Sequence, residues 1–109
     1  MPTAFFDEPV QIARYDQQKY PIFEKLTRQQ ISYSWVPEEI PLQRDSKDFR
    51  ALTAAEQHIF DSNIKRQIVL DTKQGTAPSL AFLPIASLPE IENWIQTWAY
   101  FETIHSRSY

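Results

Sequence analysis

Stripe positions along the chain repeat at helical spacing in three stretches separated by proline-marked breaks. After Pro21, the positions Phe23, Leu26, Gln30 and Tyr33 recur at intervals of three and four, the period of one helix face. Proline suits a first helical turn, so the spacing predicts a helix from Pro21 to about Trp35, stopped ahead of Pro37. Residues 1–20 hold Pro2 and Pro9 and show no sustained period, so they read as an extended arm lying on something larger. From Val36 to Phe49, Pro37, Pro41 and a cluster of Asp, Arg and Lys read as a solvated connection holding a short helical turn. Thr53 and Glu56 then match a capping box, Phe60, Ile64, Ile68 and Asp71 form a stripe expected to face the core, and Gly75 supplies a left-handed stop. Thr76 to Leu88, with Pro78 and Pro84, reads as a buried crossover or as short helical turns. Ser87 and Glu90 form a second capping box with Pro89 in the first turn. Ile91 to Tyr109 contain no terminating signal, so the chain is expected to end inside its last helix. No internal repeat or low-complexity segment is present.

Composition narrows this to an all-α chain. With 42% apolar and 14% aromatic residues the sequence can build a core, and one Gly against eight Pro leaves few of the tight turns that short hairpins need. A net charge of −3 with dispersed Lys and Arg gives no footprint for a phosphate backbone, which argues against nucleic acid as a partner. No run approaches the roughly 18 apolar residues of a membrane span. The start carries Asp7 and Glu8 where a signal peptide would be basic and then apolar, so a cytoplasmic location is expected. Without Cys, and with His58 and His105 as the histidines, a zinc finger is excluded and any metal must be held mainly by carboxylates.

Candidate chemistry sits on the last helix. Glu102 and His105 are three residues apart, so their side chains share a face with Cβ atoms about 5–6 Å apart and can chelate one metal. Di-iron and di-manganese helical bundles use two Glu-x-x-His pairs and a further carboxylate from each of two other helices. One pair is present here, and Asp71 is a candidate for one of the single carboxylates. By spacing alone Asp71 reads first as an exposed acid beside Lys73, and Trp94, Trp98 and Phe101 read as core rather than relay. His58, on the polar side of its helix, receives no role.

The segment Trp-Ala-Tyr-Phe-Glu-Thr-Ile-His-Ser-Arg-Ser-Tyr (98–109) resembles the signature of class I ribonucleotide reductase small subunits, in which a tyrosine follows Glu-x-x-His by four residues. Three further stretches are similar to the enterobacterial and phage branch of that family: Pro-Val-Gln-Ile-Ala-Arg-Tyr-Asp-Gln-Gln-Lys-Tyr (9–20), Ser-Trp-Val-Pro-Glu-Glu-Ile (34–40) and Leu-Asp-Thr-Lys-Gln-Gly (70–75). The resemblance implies that residues 1–109 are the N-terminal part of a ferritin-like di-metal helical bundle. It makes Asp71, Glu102 and His105 ligands of one iron, with Glu102 bridging to a second metal, and Tyr109 the radical site. Trp35 matches a tryptophan that passes an electron into the site, and Trp98 matches one packed beside the metals. Phe101 departs from the pattern, standing where a small residue is expected, a change that bears on packing rather than ligation.

The residue types suit that chemistry. Carboxylate oxygens with imidazole favour iron, with manganese possible, and Tyr109 shares the helix face of His105. The other ring nitrogen of His105 is expected to meet an acid that the chain does not obviously supply. The resemblance places the remaining ligands, the second Glu-x-x-His pair and the tail that docks the large subunit beyond residue 109. The complete small subunit is expected to be a homodimer. Taken alone, the 109 residues are expected to be poorly folded and inactive. Two functions follow as expectations: a component of ribonucleoside-diphosphate reductase completed by the remainder of the small subunit, or a non-catalytic fragment that at most binds helices of an intact one.

Overall fold

Local hydrogen bonds set most helix boundaries. The Thr53 hydroxyl accepts the backbone N–H of Glu56, and the Glu56 carboxylate accepts the N–H of Thr53 at 2.8 Å, so the first predicted capping box forms. In this computed structural model, residues 3–10 and 12–109 are described. They form α1 (Pro21–Ser32), α2 (Gln43–Ala51), α3 (Ala54–Gln74), α4 (Ala77–Phe82) and α5 (Pro89–Ser108), with single 3-10 turns at Pro37–Glu39 and Leu83–Ile85. The all-α expectation holds: among the described residues the extended pairing is one isolated bridge between Phe5 and Ala86. No helix of the described residues is long and apolar enough to cross a membrane.

Four boundaries differ from the sequence-based expectation. α1 ends at Ser32 rather than Trp35, because the N–H of Tyr33 turns back to Gln30 and the Ser34 hydroxyl takes the Ile31 carbonyl. Val36, restricted by the proline that follows, is extended at φ −121° and ψ 148°, which leaves Trp35 outside the helix. The expected loop from Val36 to Phe49 gives way at Gln43 to the nine-residue α2. Its polar side chains pair along one turn, Arg44 with Asp48 as an ion pair and Arg50 donating to the Ser46 hydroxyl, so polarity there marks an exposed helix and not a connection. Gly75 does not stop α3 in the left-handed region. Its φ is −68°, its N–H continues the ladder to Asp71, and α4 begins two residues later.

The fourth difference concerns Ser87 and Glu90. Leu88 caps α5 without a side-chain bond, so the second capping box does not form. Ser87 Oγ instead accepts the N–H of Asp7 at 2.8 Å, and Glu90 Oε1 accepts the N–H groups of Lys19 and Tyr20 at 3.0 and 2.9 Å. Both residues serve the arm rather than their own helix.

α5 is the central element. α1 lies along it in parallel, with Tyr20 near Glu90 and Ile31 sharing a groove with Thr97 and Tyr100. α3 runs antiparallel on another side, with Gly75 near Ala99 and Phe60 near Tyr109. The apolar core forms at the start of α5, where Ala86, Leu88, Ile91 and Ile95 are buried beneath Phe5, Phe23, Leu83 and Trp94. The α3 stripe is partly covered: Ile64, Ile68 and Asp71 are half-buried, no α3 residue is fully buried, and Phe60 is 52% exposed although its ring lies 5.4 Å from that of Phe49. The molecule measures 60 × 25 × 17 Å. Its accessible surface of 8284 Å² is roughly 2,000 Å² above that of a compact monomer of 12.9 kDa. Much of the α3 and α1 surface that a globular domain would cover is open to solvent.

Candidate metal centre

The antiparallel pairing of α3 with α5 brings together three residues that the sequence separates. Asp71 sits near the end of α3, Glu102 and His105 lie one turn apart on α5, and one ligand atom from each falls within 4.8 Å of the others. All three are half-buried. Asp71 is thus not the exposed acid at a helix end that its spacing alone suggests.

Trp98, Glu102, His105 and Tyr109 follow one another at spacings of four, three and four, a single stripe along α5. The indole N–H of Trp98 donates to Glu102 Oε1 at 2.9 Å, while Glu102 Oε2 lies 3.3 Å from His105 Nδ1. Each oxygen of Glu102 therefore has a partner, and the carboxylate is held with its second oxygen toward His105. Across α5, the Trp35 ring stacks on His105 with centroids 6.3 Å apart and planes at 22°. The turn that ends α1 and the extended Val36 deliver Trp35 to this place.

Tyr109 completes the stripe. Partial desolvation pushes its phenol above the ordinary value, and the nearby Asp71 charge, a hydrogen bond to Asp71 and the Glu102 charge act in the same direction. The phenol is therefore held protonated, facing Asp71. Beside it opens a cavity of about 400 Å³ lined by Leu42, Phe49, Phe60 and Ile64 together with Asp45 and Ser46, and Tyr109 remains 45% exposed. Phe101 is buried on the side of α5 that meets α1, sharing a groove with Ile31.

Two carboxylates and an imidazole with converging atoms fit a hard or borderline divalent cation such as iron or manganese. A profile for the family described as "Ribonucleotide reductase, small chain" matches residues 13–109. The chain belongs to the ribonucleotide reductase small-chain family. Over 105 residues, 96% of the chain, this small-chain member is 61% identical to the ribonucleoside-diphosphate reductase subunit beta of Buchnera aphidicola subsp. Acyrthosiphon pisum. It is 57% identical to the ribonucleoside-diphosphate reductase 1 subunit beta of Escherichia coli O157:H7 and 45% identical to the subunit beta of Enterobacteria phage T4. The chain spans about 28% of the length of the first two relatives and 27% of the third. Membership of this ribonucleotide reductase family implies a metal centre.

Two contacts are not anticipated from the spacing. The Trp98 bond to Glu102 has a visible signal, an i,i+4 pair on a helix face; the pattern reads this tryptophan as core, and the resemblance puts it beside the metals without naming its partner. Glu90 and Ser87 were read as a local cap because their spacing fits one; their tertiary partners lie 70 or more positions away.

Proposed function

We propose that this chain supplies one half of a dinuclear iron centre, with manganese the alternative metal, and the radical tyrosine of a class I ribonucleoside-diphosphate reductase small subunit. The observation that carries this reading is the convergence of Asp71 from α3 on the Glu102–His105 pair of α5, with the Tyr109 phenol against the same Asp71. In this reading residues 1–109 form the N-terminal part of a ferritin-like domain. The remaining ligands come from further helices of the small subunit, as the two-pair architecture of such bundles requires. The assembled small subunit pairs with itself and with the large subunit, where ribonucleotides are reduced, and the compartment is the cytoplasm.

Asp71, Glu102 and His105 would hold one metal of the pair. When bound, the metal pair supplies the oxidising power obtained from O2. The Asp71 carboxylate, which lies beside the Tyr109 phenol, would take its proton when the ring is oxidised. Glu102 is held in orientation by the Trp98 indole N–H. Trp35, stacked on His105, is placed to deliver an electron to the ligand set. The largely apolar lining beside Tyr109, which is 45% exposed in this chain, would exclude water and reductants from the oxidised ring once the further helices cover it.

A second reading is favoured by the roughly 2,000 Å² of excess surface, which falls in the range of one side of an obligate interface. In that reading the chain is a non-catalytic helical piece that packs into an intact small subunit. Electron paramagnetic resonance separates the two. Ferrous iron and oxygen are added to the chain alone and to the chain mixed with the polypeptide carrying the remaining small-subunit helices. A tyrosyl signal in the mixture that is lost in Tyr109→Phe is the result expected of the catalytic reading; silence in both samples overturns it.

A further inference from the structure

Glu90 stands outside the candidate metal centre, yet it is among the most enclosed side chains of the protein, 2% exposed. A carboxylate taken out of water loses several kcal/mol unless hydrogen bonds replace its hydration. Its Oε1 receives two, from the backbone N–H groups of Lys19 and Tyr20. Tyr20 is the residue from which α1 starts, and α1 has no side-chain cap of its own. The acid on the first turn of α5 therefore satisfies donors at the entry of α1, and it does so across a sequence separation of 70 residues.

We propose that Glu90 is a positioning residue that fixes where α1 begins along α5 and so keeps Trp35 stacked on His105. The two helices run in parallel: α1 carries the chain from its cap Tyr20 to Ser32, three residues short of Trp35, and α5 carries it the fifteen positions from Glu90 to His105. A pin at Glu90 thus sets the register at the far end, roughly 22 Å away at the rise of an α-helix. The stack has little tolerance. At 6.3 Å its centroids are already near the outer limit of about 7 Å for ring pairs, and a slip of one residue moves α1 by about 1.5 Å along its axis and turns it by about 100°. Packing fixes mainly the near part of α1, where Phe23 lies against the core and Thr27 is buried, whereas Ile22 and Ile31 are 52% and 54% exposed. A second clasp holds the arm upstream: Ser87 Oγ accepts from Asp7, and the Ser87 N–H donates to the Ala4 carbonyl. Residues 7–19 are thereby tied at both ends to one short stretch of chain, which resists sliding of α1 in either direction.

The importance of the stack for activity rests on the proposed function, but the geometry is tested without it. In the 109-residue chain labelled for NMR, the Lys19 and Tyr20 amides should exchange at least tenfold more slowly than in an unstructured peptide, and the Trp35 indole should show nuclear Overhauser contacts to the His105 ring. Glu90→Ala should abolish both while α1 and α5 remain helical by circular dichroism. Glu90→Gln, which keeps an acceptor oxygen, should restore both. Freely exchanging Lys19 and Tyr20 amides in the unaltered chain would overturn the proposal, as would an undiminished Trp35–His105 contact in Glu90→Ala. Should Glu90→Ala lose its helices, the exchange rates of the unaltered chain together with Glu90→Gln decide. A chain that shows this dependence on Glu90 yet forms no radical on reconstitution refutes only the functional reading.

Discussion

Replacing Trp98 by Phe removes one hydrogen bond from the candidate metal centre while leaving a ring of similar shape. The indole N–H lies 2.9 Å from Glu102 Oε1, and the Glu102 side chain is 15% exposed, so little water is available to take over the bond. A hydrogen bond to a charged group contributes about 1.5–3 kcal/mol. Released from Trp98, the carboxylate also regains rotamers whose refixing on metal binding costs about 0.5–1.5 kcal/mol. Part of this is recovered as the freed oxygen hydrates, leaving a net loss of about 1.4–2.8 kcal/mol, which is a 10- to 100-fold weaker metal affinity and agrees with the usual effect of removing a group that orients a ligand. The assay is a manganese titration of the parent chain and of Trp98→Phe, following loss of the free-ion paramagnetic signal, with circular dichroism to establish equal helix content. A dissociation constant within twofold of the parent would refute the orienting role. Tighter binding in the variant would refute it as well, because the indole would then be competing with the metal for Oε1.

Further outcomes follow from the same structure. Ile91, 1% exposed in the core at the start of α5, should cost about 2–5 kcal/mol on substitution by Ala, read as a lower urea midpoint. Thr53→Ala should remove the capping box of α3 and lower stability by about 1 kcal/mol, with fraying seen in amide exchange at the first turn. Glu56 has its carboxyl held below the ordinary value, first by the Thr53 hydroxyl and then by the Thr53 N–H. Its contribution is therefore present above the unfolded value of 4.5 and is lost as pH falls through the lower folded value, so the parent chain should lose stability below about pH 4.5 more steeply than Thr53→Ala. Equal slopes in an acid titration followed by circular dichroism would show that the Thr53–Glu56 bonds do not form.

Interactions that close within one turn of chain were legible in the sequence. The Thr53–Glu56 box depends on residues three apart, and the 3.6-residue period of α1, α3 and α5 depends on spacing alone, so both the all-α class and the Glu102–His105 pair could be read directly. The spacing also placed Tyr109 on the face of His105. Helix ends were less legible, because Ser34 competes for the Ile31 carbonyl and the pre-proline Val36 breaks α1 early, whereas Gly75 sits in a right-handed turn that any residue could adopt. Polarity misled at α2, where charges that pair along a helix look the same in sequence as charges in a loop.

Tertiary structure decided what spacing left open. Asp71 has the same local surroundings whether it faces solvent beside Lys73 or the Glu102–His105 pair, and only the antiparallel contact of α3 with α5 selects the second. Ser87 and Glu90 fit a local cap, yet the donors that reach them are the N–H groups of Asp7, Lys19 and Tyr20, which the fold brings within 2.8 to 3.0 Å. Trp35 reaches His105 for the same reason. Local hydrogen bonds are determined by a few adjacent residues and can be read from them. Contacts between elements depend on which faces the whole chain buries together, and that information is carried by no short segment.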